Sequence, residues 1–210
     1  MAKKNRSWLR FLCIASLALL AFPPGCIAWQ LFVHNNVREH VRISVPGTAV
    51  SLEHSRLAIH PMMAEYSRDV SFVRDGNKTK TLPLEIDTCG GYPINCYLVN
   101  APSTTAIRLD DAVSEHLIDL DRKLVYLVVR VGGKAYFGNF NGDDSSIHIT
   151  SFDSEDPMVS IGDKPADKLD SLTGGVDELY IGRITGKAGR LRFLPADEHP
   201  EKPIKKLHEW

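Results

Sequence analysis

The sequence predicts a mainly β protein: a single compact antiparallel β domain, a sandwich or meander with a minor helix, behind an N-terminal membrane segment. Three observations carry that prediction. Phe11 to Val33 runs for 23 residues without a charge, preceded by Lys3, Lys4, Arg6 and Arg10. Val70 to Ile86 contains two β-type runs about a turn sequence. Lys123 to Phe152 contains three such runs, joined by short Gly/Asn/Asp turns.

As a helix, the first stretch rises roughly 34 Å at about 1.5 Å per residue, enough for a hydrocarbon core of about 30 Å. Basic residues ahead of it, with no acidic ones, place the N-terminus in the cytoplasm and the body outside. Pro23, Pro24 and Gly25 would kink or end the helix. Two other readings therefore stay open. In one, Cys26-Ile27-Ala28 is a small-x-small signal-peptide site, and the body is secreted after cleavage at Ala28. In the other, Gly25-Cys26 makes the chain a lipoprotein through Cys26. There Pro23 stands where the lipobox expects leucine, and an apolar run follows instead of a polar tether. All three export the body. The reading adopted is an uncleaved signal-anchor in the bacterial inner membrane, with the body in the periplasm.

This divides the chain into a signal-anchor or signal peptide (1–33), an extracytoplasmic β-rich domain (34–195) and a charged C-terminal tail (196–210). Residues 34–210 suffice for one domain with a core. The first 33 residues hold four of the 25 basic residues and no acidic one, leaving 21 basic against 26 acidic, a formal charge of −5. A nucleic-acid surface needs a basic stripe that displaces counterions, so that partner class is excluded.

After a polar spacer, Val41–Val45 alternates apolar and polar, the period of a half-buried strand, and Pro46-Gly47 stops it. Ser51–Tyr66 reads as the best early helix, interrupted by Pro61. His54 and His60 are six apart, a spacing that fits neither a helical nor a strand metal pair. Val70–Arg74 and Thr79–Ile86 flank Asp75-Gly76-Asn77-Lys78, a hairpin signal. Pro83 cannot donate to a ladder, so the second strand should lie at an edge or carry a bulge.

Cys89 and Cys96 enclose Gly90, Gly91 and Pro93, the chemistry of a tight loop. Outside the reducing cytoplasm the two thiols are expected to form a disulfide, contributing about 2.5 kcal/mol in the chain-entropy model. Tyr92, Pro93 and Ile94 would then stand on a constrained tip as candidate partner contacts.

Ile107–Leu109 and Leu117–Leu120 are short strand candidates about polar Asp110–Glu115. Lys123–Val131 is the strongest β run, apolar enough to be buried on both faces. Gly132-Gly133-Lys134 leads to Ala135–Phe140, and Asn141–Asp144 leads to Ser146–Phe152, a three-strand meander. Asn139-x-Asn141-x-Asp143 lacks the sixth-position glycine and twelfth-position glutamate of a calcium loop. Asp153–Gly175 is irregular, with a short helix expected across Ala166–Leu172. Glu178–Ile184 and Arg190–Leu194 form a last hairpin. Its Gly182–Ala188 falls short of a phosphate loop by one residue and lacks the Ser/Thr for magnesium.

No catalytic motif is present: no Gly-x-Ser-x-Gly elbow, no His-Glu-x-x-His and no dinucleotide fingerprint. The layout resembles small bacterial envelope proteins. No catalytic, cofactor-binding or metal residue is expected. The expected partners are the inner membrane, through residues 11–33, and another protein, with no nucleic acid. The functional expectation is a periplasmic protein-binding module, in its specific form an immunity protein against an envelope-directed toxin. An envelope hydrolase and a structural subunit of a membrane assembly are the alternatives.

Overall fold

The computed structural model describes residues 37–60, 65–88, 93–111, 114–140, 147–150, 157–187 and 190–198. The chain divides into a unit ending at Val37 and a unit from Arg38 onward. The apolar stretch Phe11–Val33 lies outside the described residues. Among the described residues no helix is long and apolar enough to cross a membrane.

The described body is mainly antiparallel β with one short helix. β1 (Glu39–Ser44), β2 (Val50–Ala58), β3 (Tyr66–Arg74) and β4 (Asn77–Asp87) form a four-stranded sheet in chain order. The helix expected from Ser51 onward is instead strand β2. Leu52, His54, Arg56 and Ala58 are all buried at alternate positions, a period of two that the polar His54 and Arg56 disguise. The β3–β4 turn is Asp75-Gly76, with φ of 51° and 80°, as a two-residue hairpin of this hand requires. β4 is an edge strand with two register shifts against β3, which accommodates Pro83.

β5 (Ile94–Ala101), β6 (Thr104–Asp110), β7 (Glu115–Asp119), β8 (Leu124–Val131) and β9 (Lys134–Asn139) form a five-strand meander. β8 is buried on both sides, Val125 and Leu127 on one, Tyr126 and Val128 on the other. The expected third meander strand goes elsewhere. β10 (Ile147–Thr150) pairs with β11 (Met158–Ile161), and β11 with β12 (Lys164–Pro165), in a separate three-stranded sheet. The free side of β9 is taken by β13 (Asp167–Lys168), with Asp167 opposite Phe137. Helix α1 (Leu169–Thr173) follows, then β14 (Asp177–Lys187) and β15 (Arg190–Pro195) join beyond β5. The resulting order is β13-β9-β8-β7-β6-β5-β14-β15. The stretch expected to be irregular thus supplies three short strands and the helix.

The two large sheets share one core. Ile43, Leu52 and Phe72 from the first meet Ile107, Leu109, Ile118, Leu127 and Ile184 from the second. Burying each such side chain stabilises the fold by about 1.5–3 kcal/mol. On its other face the eight-stranded sheet carries Val99, Ala106, Leu117 and Val128, against which α1 lays Leu172. The Ser103 hydroxyl donates to the Leu172 carbonyl at 3.0 Å, tying the helix to the β5–β6 turn.

Candidate functional site

Strand alternation sorts the ionisable side chains into two groups, one on the helix-bearing face of the large sheet and one between the sheets. On the helix-bearing face, register aligns Tyr180 of β14 with Tyr97 of β5, and Tyr97 with Arg108 of β6. The tyrosine rings lie 5.5 Å apart, centre to centre, and the Arg108 guanidinium sits 4.1 Å over Tyr97. Arg108 grips Glu178 with two hydrogen bonds, Nε to Oε1 at 3.1 Å and Nη2 to Oε2 at 2.7 Å. Its Nη1 donates to Asp110 at 3.3 Å and lies 3.7 Å from Glu115. Glu115 is only 2% exposed. It is held from its other side by Arg130, Nε to Oε2 at 2.9 Å and Nη2 to Oε1 at 2.7 Å.

Two-point arginine–carboxylate pairs of this kind fix direction as well as charge. The bond to Glu115 raises the Arg130 pKa above its ordinary value. Burial raises that of Tyr97, outweighing the lowering effect of the Arg108 charge, so its hydroxyl stays protonated. The assembly is a row of rings and cations whose geometry is set before anything meets it. Tyr97 and Tyr180 remain partly exposed, Arg130 and Glu178 largely so. It offers contact and hydrogen bonding.

Between the sheets lies the second group. Arg68 of β3 donates to Asp111 at 2.5 Å, to Ser114 Oγ at 3.0 Å and to the Glu85 carbonyl at 2.8 Å. The Glu85 N–H donates to His116 Nε2 at 3.2 Å. Burial, then Arg68 and Arg56, holds the His54 pKa down to about 3. His116 is lowered likewise, by burial first and Arg68 next. Both rings are therefore neutral near pH 7.

Asp111, Ser114 and His116 have the composition of a catalytic triad but not its wiring. The Ser114 hydroxyl donates to Asp111 at 2.8 Å, and His116 spends its Nε2 on a backbone N–H. A nucleophile needs a base at its oxygen. The adjoining cavity, lined by His54, Arg56, Arg68, Asp87 and Ile184 among others, measures about 10 Å³, room for one water. Gly186 permits this packing, because a Cβ there would meet Arg56 Nη2 at 2.6 Å. The group pins the sheets together. A wider cleft of about 380 Å³ opens beside α1 between Gly133–Ala135 and Lys168–Thr173; neither Lys134 nor Lys168 is free. Among the described residues no set of three His, Cys, Asp or Glu is placed to hold a metal.

The loop singled out in the sequence is described only from Pro93 onward. Cys96 is a free thiol at 0% exposure, inside the shared core. Burial raises its pKa far above the ordinary thiol value. Cys89 and Tyr92 lie outside the described residues, so the structure lends the Cys89–Cys96 bond no support. Pro93 is half-buried. Ile94 is 6% exposed and does not stand on a tip. It opens strand β5 opposite Ile184 and turns into the core. The residues that do assemble, Tyr97, Arg108, Glu115, Arg130, Glu178 and Tyr180, come from five strands. Their only trace in the sequence is shared parity along each strand, as for Arg108 and Asp110. No family model, curated protein or solved structure matches this chain.

Proposed function

We propose that this chain is a membrane-anchored protein-binding module of the periplasm, and in its specific form an immunity protein that occludes an envelope-directed toxin. The observation that carries the binding reading is the Tyr97–Arg108–Tyr180 row with its bracing carboxylates. Tyrosine and arginine dominate binding hot spots because they bury large area around a polar end. Here the Arg108 rotamer is already held by Glu178, Asp110 and Glu115, so a partner has little freedom left to freeze in that side chain. His116, Ser114 and Asp111 are committed to joining the sheets, which favours occlusion over a chemical step. The basic-then-apolar N-terminus supports export and attachment through residues 11–33.

A photo-crosslinking amino acid at Tyr180, introduced in the living source cell, tests the binding reading. A discrete protein adduct is expected there and not from the same group at Asn77, in the remote β3–β4 hairpin. Arg108→Ala should deplete that adduct. Identical adducts from both positions, or none from Tyr180, would remove the reading. A reporter fused after Trp210 that is active only in the cytoplasm would remove the periplasmic assignment.

A further inference from the structure

The two ends of the four-stranded sheet differ in what they expose. At one end lie the β1–β2 and β3–β4 turns. Pro46, Gly47, Thr48, Asp75, Gly76 and Asn77 face solvent there, and among the described residues no large apolar side chain does. At the other end β1 and β3 begin and β2 and β4 finish: Glu39 pairs with Arg56, Ala58 with Tyr66, and Tyr66 with Asp87. Ile59 and Ile86 stand at this end, 45% and 51% exposed. The Ile59 N–H donates to the Glu65 carbonyl at 3.0 Å, which fixes its place. The β14–β15 hairpin reaches the same end, because Gly186, opposite Leu191, packs against Arg56. Arg190 and Arg192 are exposed on that hairpin. The nearby carboxylates are committed or covered: Glu39 is bonded to Arg56, Asp69 to Arg38, Asp87 is buried and Glu65 half-buried.

The chain also enters the sheet at this end. Five residues separate Val33 from Glu39, so β1 begins within about 20 Å of the apolar stretch when they are fully extended. The nine residues of β3 set the opposite end of the sheet roughly 27 Å away.

We propose, resting on the reading that residues 11–33 anchor the chain, that this end of the sheet sits in the headgroup layer of an anionic bilayer. Ile59 and Ile86 enter its apolar margin, and Arg190 and Arg192 meet its phosphates. Half-exposed apolar side chains gain by leaving water at the interface, and cations close to a bilayer are drawn to anionic lipid. A short tether keeps this surface at high effective concentration beside the membrane, so a small apolar area suffices. A second copy of the chain fits poorly, because paired ends would set two pairs of arginines against each other. Seating this end fixes the tilt of the body, and with it the direction in which the Tyr97–Arg108 row faces.

Full-length protein in vesicles of phosphatidylethanolamine and phosphatidylglycerol tests this, with a benzophenone amino acid at Ile59, Ile86 or Asn77 in turn. Lipid adducts, read by mass spectrometry, should form from Ile59 and Ile86 at about tenfold or more the yield from Asn77. In phosphatidylcholine alone, or with Arg190→Glu/Arg192→Glu, the yields from Ile59 and Ile86 should fall about fivefold. Yields unchanged by both would overturn the proposal. So would equal yields from all three positions, or none from Ile59 and Ile86, in protein that resists alkaline carbonate extraction. Protein that carbonate strips from the vesicles would overturn the anchoring and this contact together. Adducts that join two copies of the chain through Ile86, in place of lipid, would assign this end to a second copy and overturn it equally.

Discussion

Acidification should destabilise this protein well above the pH at which its carboxylates titrate, through His54 and His116. Both rings are enclosed between the sheets. Burial and the neighbouring arginines hold the His54 pKa at about 3 against an ordinary 6.5, and His116 moves the same way for the same causes. As pH falls below about 6.5 the unfolded chain binds protons at both rings and the folded chain does not. Stability therefore falls with pH across the window from 6.5 to 3, because the state that binds more protons gains. At pH 5 each ring costs about 2 kcal/mol relative to neutral pH, so the pair costs about 4 kcal/mol. That is a large share of the ~5–15 kcal/mol that holds a domain folded. Urea unfolding of the full-length protein at pH 7.5, 6 and 5 measures it. Far-UV circular dichroism is the probe, since Trp8, Trp29 and Trp210 all lie outside the described residues. The double variant His54→Gln/His116→Gln keeps an acceptor near the Glu85 N–H. It should start lower at pH 7.5 and then stay nearly flat to pH 5. A wild-type midpoint that does not move over this range, or a double variant with the wild-type slope, would refute the reasoning.

Arg68→Met should destabilise by about 3–5 kcal/mol by leaving buried Asp111 without its cation, and Arg68→Met/Asp111→Leu should recover most of that loss in the same denaturation assay. Gly186→Ala should cost about 1–3 kcal/mol as the new methyl displaces Arg56, read as a lowered melting temperature. Cys96 should resist alkylation by iodoacetamide in the folded protein and react only after unfolding, read by mass spectrometry; recovery of Cys96 bonded to Cys89 would contradict it.

The sequence marked the strands whose apolar residues alternate or run together. Val41–Val45, the Asp75-Gly76 hairpin, β8 and the β14–β15 hairpin were all legible for that reason. β2 was not, because His54 and Arg56 occupy inward positions where alternation normally shows apolar side chains. Their companion Arg68 meets Asp111 and Ser114, 43 and 46 residues further along the chain, and nothing local announces the pairing. The same limit hid the candidate face: Arg108 and Glu178 are 70 residues apart. The placement of β10 failed for a different reason. Which edge a strand joins depends on its competitors, and β13 had claimed the free side of β9.

The path of α1 bears on the shape of the surface beneath it. The helix packs Leu169 and Leu172 into a cluster that takes in Val99 of β5 as well as Ala135 and Phe137 of β9. In a flat sheet β5 and β9, with three strands between them, would lie about 19 Å apart. A helix of five residues is only about 7.5 Å long. The two strands can both reach so short a span only if the sheet arches, with α1 as the tie beam across the opening. The Tyr97–Arg108 row then lies on the hollow side of the arch, which accounts for the enclosure of Glu115 and Asp110. Lengthening the beam would let the arch relax, and would splay the two walls that hold those side chains in register.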